Sequence, residues 1–127
     1  MLNHLTFVEN LYSTLRLDDT ALDDRWAGMR SQQAWDEHFH PEDPPAEIYA
    51  RYDATVARAR RRVAEAIAER GIDQPVTTGI VETGWANLRR LLLDLLEEYG
   101  RHLLREAVDG RVGEDPPDDW VTPWDRD

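Results

Sequence analysis

Leu88-Arg89-Arg90-Leu91-Leu92-Leu93-Asp94-Leu95-Leu96-Glu97-Glu98-Tyr99-Gly100-Arg101-His102 is the stretch that decides the fold. Leu88, Leu91, Leu92, Leu95 and Tyr99 recur at steps of three and four, the spacing of one face of an α-helix. The row Leu88, Leu91, Leu95 continues into Glu98 and His102, so a carboxylate and an imidazole stand one turn apart at the end of an apolar stripe. The pattern predicts a helix from about Gly84 to Val108, with Thr83 as its cap and Asp109-Gly110 as its stop.

Upstream, residues 72–83 read as a linker around Thr77-Thr78-Gly79. Before it, Tyr49, Tyr52, Val56, Ala59, Val63, Ala66 and Ile67 form a second helical stripe. Pro44-Pro45 and Glu47 suit the start of that helix, and Gly71 suits its end. Arg58, Arg60, Arg61 and Arg62 lie largely off the stripe. They read either as an anion site or, better, as a solvated face beside Glu65 and Glu69.

Residues 18–45 have no clear period and exceed the usual length of a connection. They carry Trp26, Met29, Trp35 and Phe39, and read as a loop with short helical turns whose aromatics pack on the bundle. The opening segment, about Leu2 to Leu17, is helical again, with His4, Val8, Leu11 and Leu15 on one face. The expected fold is therefore an all-α bundle of three long helices with a long irregular loop between the first two. It occupies residues 1–110, followed by an acidic, proline-containing tail at 111–127 in which Trp120 and Trp124 can pin to the bundle.

Composition narrows the function. The chain has 127 residues and a net charge of −11, and all 15 of its cations are arginine. Clustered cations are what phosphate binding needs, so nucleic acid and anionic membranes are disfavoured as partners. There is no cysteine, which excludes disulfides, thiolate metal ligands and a thiol nucleophile from the protein itself. No apolar run reaches membrane-spanning length and Met1-Leu2-Asn3-His4 is no signal peptide, so a cytoplasmic location is expected.

The informative residues are the polar ones on apolar faces. A glutamate facing a core is costly unless paired, hydrogen-bonded or bound to a cation. One reading of Glu98 and His102 is a divalent metal site, with His4 from the first helix as third ligand. Zinc suits that ligand set; nickel, iron and manganese fit it as well. The alternative pairs Glu98 with His102, Arg101 or Arg105 at the helix surface and leaves His4 wet at the chain start. His38 and His40, flanking Phe39, read as a metal-binding His-x-His or as a polar loop.

The last helix, with its continuation Leu104-Arg105-Glu106-Ala107-Val108-Asp109-Gly110, strongly resembles the final helix of the DinB-like (YfiT-like) superfamily. The opening Leu2-Asn3-His4-Leu5-Thr6-Phe7-Val8-Glu9 is similar to the helix that carries that superfamily's first metal histidine, and the likeness is greatest to an actinobacterial branch. The resemblance implies an up-down four-helix bundle with a divalent metal, usually zinc or nickel. It implies chemistry of thiol-dependent transferases and isomerases, which use low-molecular-weight thiols such as mycothiol on small-molecule electrophiles. Mycothiol-dependent maleylpyruvate isomerase uses a His … Glu-x-x-x-His set, which His4, Glu98 and His102 match residue by residue.

There are departures from that pattern. Leu103-Leu104-Arg105-Glu106 follows His102 directly, where relatives carry extra residues with another histidine, and Asp94 stands where relatives often have a histidine. Asp94 can ligate or support a ligand. Relatives also have a helix before the one that carries His4. A bundle of three such helices is expected to leave an apolar groove, open to a homodimer partner. A non-catalytic bundle that binds a partner, or a remnant of the enzyme, is the alternative to a metal-dependent enzyme.

Overall fold

The computed structural model describes residues 1–76 and 87–112, with residues 106–112 as backbone only. Its elements are helices: α1 (Leu2–Ser13), α2 (Leu15–Asp18), α3 (Asp24–Ala27), α4 (Gln32–His38), α5 (Pro45–Arg70) and α6 (Leu88–Val112). Three of them are long, and together they make an all-α bundle in which α1 packs against both α5 and α6.

The expected first helix is split. Thr14 leaves helical geometry (φ −126°, ψ −88°) between α1 and α2. The hydroxyl of Ser13 donates to the carbonyl of Glu9, and that of Thr14 to the carbonyl of Asn10. Such back-bonding competes with the helical ladder and bends it. Asp19 then closes α2 in the left-handed region (φ 63°), its N–H bonded to the Leu15 carbonyl.

Burial of α1 extends well beyond the single apolar stripe. Asn3, Thr6, Glu9, Asn10 and Ser13 are buried along with Leu5, Phe7, Val8 and Tyr12. Two groups of elements enclose it. From α5, Arg51 reaches the Asn3 side chain, Arg60 reaches Glu9, and Arg62 reaches the Ser13 carbonyl. Over α1 also lies the 18–45 segment, which forms α3 and α4 with its aromatics inward, as its composition predicts. The ring of Phe7 meets Trp26 and Trp35 edge-on, each at 5.8 Å between centroids. The Asp23 N–H is accepted by the Asn10 side chain.

Pro45 occupies the first turn of α5, and Gly71 (φ 82°) ends it with its N–H on the Ile67 carbonyl. Only glycine takes that conformation without strain. Within the expected stripe Ala59 is buried, but Tyr49 and Ile67 are exposed. The arginine cluster is neither an anion site nor a purely solvated face. Arg58 pairs with Asp23, Arg60 with Glu9 and Arg62 with Asp18, so three of its four cations tie α5 to the α1–α3 segment.

Residues 72–76 cap α6. The N–H of Leu88 donates to the Gln74 carbonyl and that of Arg89 to the Ile72 carbonyl. The side chain of Asn87 accepts the N–H of Arg90, which makes it the N-cap of the helix. The expected start at Gly84, the Thr83 cap, the Thr77-Thr78-Gly79 linker and the tail with Trp120 and Trp124 lie outside the described residues. At the other end the helix does not stop at Asp109-Gly110 but continues to Val112, since the ladder tolerates one glycine at a modest cost.

Leu88, Leu91 and Leu95 enter the core with Phe7, Val8, Tyr12, Leu17 and Trp26. The outer face of α6 carries Leu93, Leu96, Leu103 and Leu104, all exposed. Among the described residues no helix is long and apolar enough to cross a membrane.

Candidate metal centre

His4, Glu98 and His102 converge. One ligand atom from each lies within 4.8 Å of the others, although the first comes from α1 and the other two from α6. The rings of His4 and His102 sit 4.2 Å apart between centroids, roughly edge to face. His4 is 2% exposed and His102 9% exposed. Burial of α1 on several sides is what brings its first turn inward, so His4 is not a wet residue at the chain start.

Glu98 makes the pairings expected of it, but away from the helix surface. It pairs with His102 (Nε2 to Oε2, 3.3 Å) and with Arg101 (Nη1 to Oε1, 3.4 Å), yet its side chain is largely buried. One oxygen therefore faces the imidazole while the other is held by a guanidinium. Asp94 does not join the group; it pairs with Arg90 one turn away on α6.

His4 is the most informative of the three. Its Nδ1 lies 2.7 Å from Nε2 of His38. Its Nε2 is buried and has no hydrogen-bond partner among the described residues. A buried nitrogen without a partner is costly, and a cation is the partner its lone pair suits. Burial, with the neighbouring His102 and His38, pushes the His4 pKa down to about 2, so the ring is a neutral donor. The donor set, two imidazoles and a carboxylate, fits a divalent transition metal.

The walls are aromatic. Phe39 stacks on His4 at 4.6 Å, and Trp35 meets it edge-on at 5.3 Å. Of the His-x-His pair, His38 is buried beside His4 while His40 is exposed, so the two histidines do not act together. An open cleft of about 380 Å³ borders His38 and is lined also by Asn3, Trp26, Met29 and Glu37.

Sequence reasoning missed a second buried cluster. Glu9, 1% exposed, takes both prongs of Arg60 at 2.9 Å and the Tyr99 hydroxyl at 2.6 Å. Tyr52 bonds the same hydroxyl of Tyr99 at 2.8 Å. Burial first, then Glu9 and Tyr52, raises the Tyr99 pKa far above its ordinary value, so it stays a neutral phenol. Glu9 sits five residues after His4, off its stripe, and nothing in the spacing marks it as buried.

Compared with protein-family models, residues 1–110 match the family described as mycothiol-S-transferase. The chain belongs to the mycothiol-S-transferase family. That family lies within the DinB-like superfamily the two end helices resemble. No curated protein and no solved structure matches the chain.

Proposed function

We propose that this member of the mycothiol-S-transferase family is a metal-dependent enzyme. It joins a low-molecular-weight thiol of the mycothiol type to a small electrophilic molecule, or uses that thiol to isomerise one. His4, Glu98 and His102 hold the ion, zinc or nickel. The observation that carries this reading is the meeting of those three side chains, together with a buried His4 Nε2 that has no hydrogen-bond partner among the described residues. The ion, when bound, supplies positive charge that lowers the pKa of a thiol at the site and so furnishes a nucleophile at neutral pH.

The chain's own residues do the rest. Neutral His4 offers a lone pair without first losing a proton. Glu98 brings negative charge to offset the cation, and Arg101 keeps that carboxylate oriented. Phe39 and Trp35 keep bulk water off the His4 side. With no cysteine in the chain, the sulfur comes from the small thiol.

The test combines metal analysis with turnover. The purified protein loaded with zinc or nickel is expected to hold about one ion per chain and to consume an electrophile such as a haloarene or maleylpyruvate only with mycothiol present. His102→Ala is expected to lose both ion and turnover. Equal metal content in parent and variant removes the reading.

The second reading is a non-catalytic bundle that binds a partner, a second copy of this chain among the candidates. Exposed Leu93, Leu96, Leu103 and Leu104 on α6 favour it. A dimer mass by light scattering that falls to the monomer in Leu96→Glu, together with no metal uptake by the parent, is its signature.

A further inference from the structure

We propose that His38 is a positioning residue: it locks His4 in the tautomer that carries its proton on Nδ1 and leaves the Nε2 lone pair facing Glu98 and His102.

The chain of reasoning starts at the end of α4. Ser31 caps the start of this helix by accepting the Ala34 N–H, and the last turn tightens: the N–H of Phe39 turns to the Asp36 carbonyl and that of His40 to the Glu37 carbonyl. The Trp35 carbonyl is thereby left to the imidazole of His38, whose Nδ1 bonds it. A carbonyl only accepts, so Nδ1 of His38 carries a proton. The neutral ring then has a lone pair at Nε2. That atom lies 2.7 Å from Nδ1 of His4, which must be the donor. His4 is left with its lone pair on Nε2, the buried atom that lacks a partner among the described residues.

A backbone carbonyl thus sets the tautomer of one histidine, and that histidine sets the next. Position is fixed as well as protonation. The Asn3 side chain donates to the His38 carbonyl at 2.8 Å, which ties α4 to the residue preceding His4. The ring of His38 packs against Phe7, Trp35 and Phe39. A histidine that ligates metal through one nitrogen commonly donates through the other, and losing that support typically weakens metal binding 10–100-fold. His38 is in the right place for this role, with an imidazole where a carboxylate or carbonyl would serve equally.

The role of His38 in metal binding rests on the metal-centre reading, but the tautomer does not, so the two fail separately. In the metal-free full-length protein, ¹⁵N chemical shifts of the ring are expected to show His4 protonated at Nδ1 and bare at Nε2. His38→Gln places a carbonyl oxygen near the old Nε2 and is expected to preserve that pattern. His38→Phe keeps a ring but offers no acceptor; His4 is then expected to lose its Nδ1–H preference. Zinc affinity, from competition with a chelating dye, is expected to fall 10–100-fold in His38→Phe and to recover to within a few-fold of the parent in His38→Gln. Thermal melts of the metal-free proteins check folding, with His38→Leu as a substitute if the phenylalanine variant does not fold.

His4 protonated at Nε2 in the parent overturns the proposal. So does unchanged zinc affinity in His38→Phe. A parent with the expected tautomer but no zinc uptake supports the positioning and overturns the metal-centre reading instead.

Discussion

Arg60 and Glu9 meet through two parallel hydrogen bonds of 2.9 Å across the α1–α5 interface, with the carboxylate 1% exposed and the arginine half in water. The pair anchors the centre of the bundle, and the Tyr99 hydroxyl ties α6 into it. The guanidinium, in turn, is held more firmly protonated by its bonds to Glu9.

Removing the cation strands a buried charge. Arg60→Ala is expected to destabilise the metal-free protein by about 3 kcal/mol. That is the low end for breaking a buried pair, since Tyr99 keeps its bond and Arg60 is partly solvated. Urea denaturation monitored by circular dichroism measures it; a loss below about 1 kcal/mol contradicts the anchoring role.

Acid weakens the metal-free fold. Burial holds His4 near a pKa of about 2 and His38 near about 4, against 6.5 when unfolded. Between 6.5 and those lower values the unfolded chain binds protons that the folded chain refuses, so folding stability is fully present above pH 6.5 and is lost as pH falls through that window. The melting temperature of the metal-free protein is expected to drop between pH 6.5 and 4, and to drop less in a His38→Gln variant, which has one such group fewer.

Metal binding reports on the site directly. Zinc at about 100 times its dissociation constant is expected to stabilise the parent by about 2.7 kcal/mol and to leave His4→Ala and His102→Ala unmoved. Thermal melts with and without zinc, after chelation and dialysis, make the comparison. A shift of equal size in all three proteins places the ion elsewhere.

The start of α6 is set by Asn87. Asn87→Ala removes the acceptor for the Arg90 N–H and is expected to cost about 1 kcal/mol. Because Glu98 and His102 lie more than two turns further on, zinc affinity is expected to stay within about twofold of the parent. A large change in affinity with little change in stability runs against that separation.

Much of this was legible in the residues. The leucine spacing from Leu88 marked α6, Pro45 and Gly71 bounded α5, and Glu98 with His102 stood out because a carboxylate and an imidazole interrupted an apolar row. The break at Thr14 was not legible, since a hydroxyl that bonds the preceding turn leaves no mark on hydrophobic spacing. Glu9 and Asn10 were missed because periodicity assumes one buried face, whereas α1 is enclosed from several sides. The tie between His38 and His4 joins residues 34 positions apart and follows no local rule.

The sequence by itself determined that the chain is helical, that with no cysteine it has no thiol chemistry of its own, and which three side chains are candidate ligands. Only the tertiary structure decided that α3 and α4 fold over α1, that the arginines of α5 are tied to acids of the α1–α3 segment, and that His4 is buried against His38 and His102. Helical periodicity is a property of neighbours along the chain. Which nitrogen of an imidazole keeps its lone pair depends on a carbonyl brought there by the packing of another helix.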